Sequence, residues 1–247
     1  MSFSNQNPYE AGHASFGDAA AYAVEAERAT FIRRTYAHVL WAIVAFVLLE
    51  VVLFKIIPEE TLVRIPAMMM GGFGWLIVLG AFMAVSWVAT SWANSGASPT
   101  VQYMGLALYV IAEAIIFLPL LVIAEYFVKD SSLIPSAGLI TLLMFGGLTA
   151  VVYLTKVDFS FLGTYLWVGS FGAVGFIVAS IILGFSLGIL FSTIMVVLAS
   201  GYIVYHTSNI LHHYRTDQYV AAALALFAAV ALLFWYVLQI LMSLSRD

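Results

Sequence analysis

The chain contains no cysteine among its 247 residues. This absence excludes disulfides, thiolate-bound metals and cysteine nucleophiles, although it leaves the redox compartment undetermined. Charged residues are also few, at 9% of the chain, whereas soluble domains carry about 25%. Lysine and arginine form no basic block and the formal net charge is −4, which argues against nucleic acid as a partner. Because 64% of the residues are hydrophobic, the composition predicts a polytopic membrane protein embedded in a lipid bilayer.

Seven stretches are long and apolar enough to cross a membrane, for which about 20 residues are needed. We place them at Tyr36–Ile57, Pro66–Thr90, Val101–Ala124, Leu133–Leu154, Phe161–Leu183, Leu187–Thr207 and Gln218–Ser243. The connecting loops are short, which predicts one all-α bundle. Between the fifth and sixth spans the expected break is the stretch GFSLG from Gly184 to Gly188, either as a turn or as a GxxxG packing motif.

The first 30 residues differ in kind from residues 31–247, which form the predicted transmembrane domain. Residues 1–30 are a polar extension that we expect to be partly disordered. Its alanine-rich second half is typical of a helix at the membrane interface, with Tyr22, Phe31 and Ile32 against lipid. The extension is not a secretory signal, since it has neither a cationic start nor an apolar core.

The positions of lysine and arginine indicate the orientation in the membrane. The Arg33-Arg34 pair immediately before the first span predicts a cytoplasmic N-terminus, because positive charge is retained on the cytoplasmic side. In this orientation Arg28, Arg33, Arg34, Lys156 and Arg215 lie inside, and Lys55, Arg64, Lys129 and Arg246 lie outside.

Apart from His38 at the start of the first span, four ionisable side chains fall within the predicted spans: Glu50, Lys55, Glu113 and His206. A charged group at the bilayer centre costs about 2.5–3.5 kcal/mol on insertion scales, so each is a candidate functional residue. Glu50 and Lys55 lie toward the end of the first span, where long side chains reach the interface. We interpret both as snorkelling residues.

Glu113 lies near the middle of the third span, with Gly105, Tyr109 and Phe117 on the same helical face. We expect it to face the bundle interior. It is either a functional carboxyl in a hydrated cavity or a protonated acid in a structural hydrogen bond between helices.

His206 lies where the sixth span runs into polar sequence, in YIVYHTSNILHHY. It is either a buried group that titrates near the ordinary histidine pKa of about 6.5 or the polar cap of a helix end. The choice depends on where that helix begins and ends.

Enzymatic and cofactor chemistry are disfavoured. Neither an HExxH zinc motif nor a G-x-S-x-G nucleophile elbow occurs. Haem ligation by two histidines would have to use His38 and His206. A transition-metal site would have to combine His206 with His212 and His213, two neighbours that point in different directions along a helix. We therefore predict no enzyme activity, no cofactor and no bound metal.

A specific motif, T-K-x-D-F-S-F-L-G from Thr155 to Gly163, lies between the fourth and fifth spans. Three further stretches accompany it: RRTYAHVLWAI before the first span, YMGLALYVIAEAIIFLPLL in the third, and SGYIVYHTSNILHH closing the sixth. Together they cover nearly everything from Arg33 to Leu241. In these stretches the sequence resembles the Bax inhibitor-like family of seven-helix membrane proteins, including its bacterial branch.

The resemblance implies six helices around a central seventh, a cytoplasmic N-terminus and the inner membrane of a bacterium. It also implies two activities: a pH-sensitive cation leak, chiefly for calcium, and the binding and restraint of a membrane-anchored AAA protease. Glu113 matches the acidic residue of the family pattern E-x-x-x-x-x-P-L. Lys156 and Asp158 match a loop signature that is structural in the family.

The pH sensor of the family is altered in this sequence. In the family the sixth span ends Y-D-T-S and the seventh reads L-Y-L-D-x-x-N, so that two aspartates share a proton. Here the first aspartate position is His206, the second is Ala229, and the asparagine position is Leu232. Protonation of a lone histidine creates a cation that repels calcium, so we do not expect the acid-gated mechanism of the family to carry over.

Two functions stay open. The first is an ion leak with altered pH sensitivity that uses Glu113 and His206. The second is a non-conducting interaction protein that modulates a membrane-anchored AAA protease or belongs to a larger membrane complex.

Overall fold

The computed structural model describes residues 25–71, 73–96, 98–128 and 130–245, and these contain helices and connecting turns but no β-strand. In chain order the helices are α1 (Glu25–Ile56), α2 (Glu59–Leu62), α3 (Ile65–Met70), α4 (Gly74–Ala93), α5 (Pro99–Val122), α6 (Leu133–Thr155), α7 (Leu162–Leu183), α8 (Gly188–His212) and α9 (Tyr219–Leu244). A π-helical segment, Ile123–Val128, extends α5. Within the described ranges, α1 and α4 to α9 are long and apolar enough to span a membrane. The prediction of an all-α protein with seven spans is confirmed.

The last span, α9, lies in the centre of the bundle. It packs against α1, α4, α5, α6 and α8, and it is buried along almost its whole length. Alanines such as Ala222 and Ala223, which are fully buried, let the surrounding helices approach closely. Larger side chains fill the layer farther along, where the Phe117 ring lies edge-on to Phe46 at 5.1 Å and to Trp235 at 5.0 Å. The central seventh helix that the family resemblance implies is therefore present.

The GFSLG stretch forms a turn. Gly184 ends α7 with a φ of 74° and Gly188 begins α8 with a φ of 62°. Both angles lie in the left-handed region, which glycine enters without the steric cost that a Cβ imposes. The two alternatives for this stretch are thus decided in favour of the turn.

The first span begins earlier than the sequence indicated. Residues 1–24 lie outside the described residues, so the disordered extension stays a prediction. From Glu25 the chain is one continuous helix, and Phe31 is buried in the core rather than facing lipid. The expected interfacial position of Phe31 is therefore wrong, because this turn of α1 packs against the bundle.

The second predicted span, Pro66–Thr90, is interrupted near its start. The short helix α3 ends at Met70, and Gly71 adopts an extended backbone before α4 begins at Gly74. A side chain at Gly71 would meet the carbonyl oxygen of Ala67 at 2.4 Å, so this tight corner requires glycine. The membrane span is α4 alone.

Candidate functional site

A cavity of about 860 Å³ lies among α4, α5, α7, α8 and α9. Its wall includes Ser192 and His206, both on α8. At a rise of about 1.5 Å per residue, the distance along α8 between these two positions is about 21 Å. The volume falls within the range of about 300–1,000 Å³ that is typical of ligand pockets. We call this space the α4–α7 cavity, because these two helices form opposite sides of it.

Glu113 lines this cavity from α5. Only 6% of the residue is exposed, and Tyr109, one turn earlier on the same face, lines the cavity beside it. The side chain thus faces the bundle interior, as its position in the third span indicated. The Glu113 carboxyl therefore lies at membrane depth and borders the cavity rather than packed side chains.

His206 lines the same cavity from α8. Its ring stacks on Tyr202 at 5.7 Å and meets the edge of Tyr205 at 5.1 Å. The Nδ1 atom is buried and has no hydrogen-bond partner in the described part of the chain. Because α8 runs from Gly188 to His212, His206 lies well before the helix end. The interpretation of His206 as a helix cap is wrong, and the imidazole is an interior group.

The cavity reaches the helix ends at one side of the bundle and stops short of them at the other. Leu187 and Gly188, where α8 begins, form part of its wall and mark what we call the Gly188 side. Beyond His206, toward the opposite end of the bundle, Thr207, Ile210 and Val220 are fully buried and fill the interior. His206 therefore stands near the closed end of the cavity, about 9 Å before the end of α8.

Both altered sensor positions also reach the cavity. Ala229 and Leu232 line it from α9, as the acid does from α5 and the imidazole from α8. A methyl group and an isobutyl group therefore occupy the positions where the family resemblance implies an aspartate and an asparagine. The described residues contain no cluster of three or more histidine or acidic side chains that could hold a metal ion.

Glu50 is buried, although the sequence predicted that its side chain would reach the interface. It is 6% exposed, and neither carboxyl oxygen has a hydrogen-bond partner among the residues that the structure describes. The snorkelling interpretation of Glu50 is therefore wrong. A signal was present: Glu50 continues the spacing of three and four residues set by the buried Val39, Ala42 and Phe46. Lys55 is exposed, in agreement with snorkelling.

The signature loop after α6 begins with a left-handed turn and is attached to the end of α8. Lys156 ends α6 with a φ of 53°. The Ser208 hydroxyl accepts from the Phe159 backbone N–H at 2.8 Å and donates to Asp158 Oδ1 at 3.3 Å. Oδ1 also accepts from the Ser160 N–H at 2.9 Å, and Oδ2 pairs with His213 Nε2 at 3.1 Å.

The charge of Asp158 follows from these bonds. The Ser160 backbone N–H first, with the Ser160 and His213 side chains after it, lowers the pKa of Asp158 to about 2. The carboxylate thus remains ionised at every physiological pH.

The loop also contacts the neighbour of His206. A Cβ added at Gly163 would lie 2.9 Å from the Tyr205 ring, and Tyr205 in turn packs on His206. A side chain at the final glycine of the T-K-x-D-F-S-F-L-G motif would therefore force the Tyr205 ring to shift. Asp158 is thus a structural clamp between the loop and α8, whereas Lys156 contributes the left-handed turn that ends α6.

These features define an integral membrane protein with seven helices, the last of them central, and an interior cavity that contains one acid. A family model described as "Inhibitor of apoptosis-promoting Bax1" matches residues 28–246. The chain belongs to this Bax inhibitor family.

Individual relatives agree with the family assignment. An uncharacterised protein of Pseudomonas aeruginosa is 30% identical over 160 residues, which are 64% of this chain and 68% of the relative. Protein LIFEGUARD 3 of Arabidopsis thaliana is 35% identical over 95 residues, 36% of this chain and 37% of the relative. The modulator of FtsH protease YccA of Escherichia coli is 35% identical over 108 residues, 43% of this chain and 49% of the relative. The alignments thus span about half or less of the length of the last two relatives.

Proposed function

We propose that the protein is a non-enzymatic cation leak, chiefly for calcium, that uses the α4–α7 cavity as part of its ion path. The observation that supports this most directly is that Glu113 and His206, on different helices, line one cavity. Glu113 supplies the negative charge that draws a cation into a low-dielectric interior. His206, near the closed end, supplies the group whose charge changes with pH.

The sign of the pH response follows from these two groups. Protonation of Glu113 removes a negative charge from the cavity, and protonation of His206 adds a positive one. Both changes make the cavity less attractive to a cation. The leak is therefore expected to fall as the pH is lowered.

Cation flux into liposomes tests this proposal. The full chain is reconstituted and calcium or potassium flux is measured between pH 8 and pH 5. Glu113→Gln is expected to reduce flux at high pH, and His206→Ala to flatten the pH dependence. Glu27→Gln changes an exposed acid far from the cavity and serves as the control. Absence of flux at every pH, or equal flux in the unmodified chain and all three variants, would contradict the proposal.

A double variant tests whether these positions of the cavity can sense pH through two aspartates, as the family resemblance implies. His206→Asp with Ala229→Asp places two carboxyls in the positions where the family has its aspartates. Because two neighbouring carboxylates cannot both ionise cheaply, they share a proton near neutral pH. Flux through the double variant is expected to fall with falling pH, as in the unmodified chain, because protonation again removes negative charge from the cavity, but the midpoint is expected to shift toward neutral pH. An unchanged profile contradicts the placement of the sensor at these positions.

The second candidate function is modulation of a membrane-anchored AAA protease without conduction. It is supported by the similarity to a protein named as a modulator of FtsH protease. Affinity capture in a gentle detergent, followed by a degradation assay with the captured protease, tests it. Recovery of the free chain alone, with degradation unaffected by its addition, contradicts this function. Deletion of residues 1–24 tests whether the polar extension takes part in binding.

We also propose that the chain lies in the bacterial inner membrane with its N-terminus in the cytoplasm. The inner-membrane location is supported by the similarity to a protein named inner membrane protein YccA. The orientation is supported by the Arg33-Arg34 pair at the start of the first span.

A further inference from the structure

We propose that the α4–α7 cavity is a binding site for one acyl chain of a phospholipid from the leaflet on the Gly188 side. The proposal concerns the occupant of the cavity and stands whether or not the cavity also conducts ions.

The cavity is open sideways at the depth of the lipid tails. Met83 on α4 and Val174 on α7 both line it, and they are 57% and 41% exposed. Each lies near the middle of its span. The helix α7 packs chiefly on α8, whereas α4 packs on α5 and α9, so the two helices leave a gap between them. At this depth the surrounding medium is hydrocarbon.

The wall is chemically suited to a hydrocarbon chain. Apart from a few polar groups, among them Glu113, it presents apolar side chains from all five helices: Leu79, Phe82, Ile116, Ala173, Ile177, Met195, Leu198, Ala228 and Leu232. Water is not held by apolar walls, because it needs two to four polar partners. An unfilled space loses the dispersion contacts of its lining atoms. A flexible chain from the adjoining leaflet restores those contacts.

The length and the ends of the cavity favour an acyl chain over a smaller apolar molecule. The cavity extends about 21 Å along α8, whereas one leaflet contributes about 15 Å of hydrocarbon, half of a core of about 30 Å. A full chain therefore fits, with its tip beyond the bilayer midplane. At the Gly188 side the Ser192 hydroxyl donates to Gln239 Oε1 at 3.0 Å. This contact leaves the Gln239 amide nitrogen to donate to an ester carbonyl near the head group.

Gly80 offers a way to fill the cavity without disturbing the packing of the helices. It lines the cavity, and a Cβ at this position would have no atom within 4 Å. Gly172 on α7 has the same open surroundings and is not part of the lining. Gly80→Phe and Gly172→Phe are therefore a matched pair, both in membrane-spanning helices, and the phenyl ring enters the cavity only in the first.

Trp235 supplies the readout, since it lines the cavity and is only 9% exposed. Trp41, Trp87, Trp92 and Trp167 are exposed to the surrounding lipid, and Trp75 also lines the cavity. The test therefore uses a full chain in which these five tryptophans are replaced by phenylalanine. The chain is reconstituted in nanodiscs of phosphatidylcholine with or without bromine atoms in the middle of the acyl chains. Bromine quenches tryptophan emission on contact.

Brominated lipid is expected to remove most of the Trp235 emission. Gly80→Phe is expected to restore it and Gly172→Phe to leave it quenched. Native mass spectrometry of the same proteins is expected to show one retained phospholipid, lost only with Gly80→Phe. Equal quenching in both glycine variants would mean contact with bulk lipid alone. Quenching by aqueous acrylamide but not by bromine would mean a water-filled cavity. Either result overturns the proposal.

Discussion

Glu50 and Glu113 are two buried carboxyls with different surroundings. Glu113 faces a cavity, where a cation or a change of protonation can be accommodated. Glu50 is enclosed by packed helices, and neither of its oxygens has a partner in the described ranges. An unsatisfied buried polar group costs about 1–3 kcal/mol. At the scale of single residues, one acid is therefore suited to function and the other reduces stability.

Replacement of Glu50 by a side chain of similar length without the carboxyl is expected to stabilise the protein. We expect Glu50→Met to raise the free energy of unfolding by about 1–3 kcal/mol, since it removes an unpaired polar group without leaving a cavity. Unfolding by sodium dodecyl sulfate in mixed micelles measures the change. Glu27→Gln, on the exposed start of α1, is expected to leave the value unchanged. A loss of stability in Glu50→Met would mean that the carboxyl has a favourable partner.

The interior position of Glu113 followed from its sequence neighbours, that of His206 stayed open between two alternatives, and that of Glu50 was not predicted. Glu113 lies far from both ends of its span, so no interface is within reach of its side chain. Glu50 lies six residues before the end of α1, and distance from the end alone suggests solvent. Its burial depends on how far the neighbouring helices α5 and α9 extend along α1. The extent of these neighbours is set by the assembled bundle and cannot be derived from the sequence of α1.

The loop between α6 and α7 shows how a short motif holds two elements together. Asp158 accepts from the Ser160 N–H and from the Ser208 hydroxyl, so one carboxylate joins the loop to α8. Its pKa of about 2 lies below the ordinary value of 3.8. A group with a lowered pKa contributes stability that is complete above its ordinary pKa and is lost as the pH falls through its folded value. The clamp is therefore stable through the physiological range.

Hydrogen exchange of the Phe159 and Ser160 amides tests this clamp. After correction for the intrinsic rate, their protection is expected to be constant from pH 8 to pH 5 and to fall only as the pH drops below about 4. Ser208→Ala is expected to remove the protection of Phe159, whose N–H donates to that hydroxyl. Thr193→Ala, which changes an exposed hydroxyl elsewhere on α8, is the control. Loss of protection between pH 7 and pH 5 would contradict the assignment of the clamp to the Asp158 carboxylate.

The contact between α4 and α5 depends on one glycine. A Cβ at Gly105 would lie 2.5 Å from the Ala89 oxygen and 2.7 Å from the Ala93 nitrogen, both backbone atoms. Gly105→Ala is expected to destabilise the protein by about 1–3 kcal/mol through overpacking. Gly147→Ala, in the open on α6, is expected to stabilise it by about 0.5–1 kcal/mol, because alanine favours the helix. Mixed-micelle unfolding compares the two, and equal effects would contradict the close contact.

At the scale of elements, long apolar stretches predicted the spans well and short irregular segments poorly. The ends of α6, α7 and α9 lie within one residue of their predicted positions. The corner at Gly71 was missed because apolar residues continue on both sides of it. Hydrophobicity identifies membrane depth but not backbone direction, so a re-entrant short helix and a full span look alike.

The cavity is a feature of the whole molecule, because it depends on the gap that α4 and α7 leave between them. Apolar residues such as Leu79 and Ile177 are suitable for core, lipid contact and cavity lining alike. Nothing in their spacing separates these three uses. The position of α9 in the centre was implied by the family, whereas the gap between α4 and α7 depends on how every other helix packs around it.

The charge distribution of the whole molecule predicts its orientation. The structure brings the basic residues near the N-terminus together with those of later loops: Arg28 donates to the Leu211 carbonyl at 3.5 Å, and the Arg34 guanidinium lies 5.6 Å from the Tyr219 ring centre. These contacts place the start of α1 at the same end of the bundle as the α8–α9 connection, which also carries Arg215. Positive charge gathered at one end predicts that this end is cytoplasmic.

Because the chain has no native cysteine, single cysteines report this orientation without background. Val157→Cys places a thiol in the exposed loop between α6 and α7, and Ser186→Cys places one in the exposed turn on the Gly188 side. In intact cells a membrane-impermeant maleimide is expected to label only the Ser186→Cys variant. The Val157→Cys variant is expected to react only after the membrane is permeabilised. The reverse pattern would place the N-terminus outside. It would also place the Gly188 side, and with it the end of the α4–α7 cavity at Leu187 and Gly188, toward the cytoplasmic leaflet.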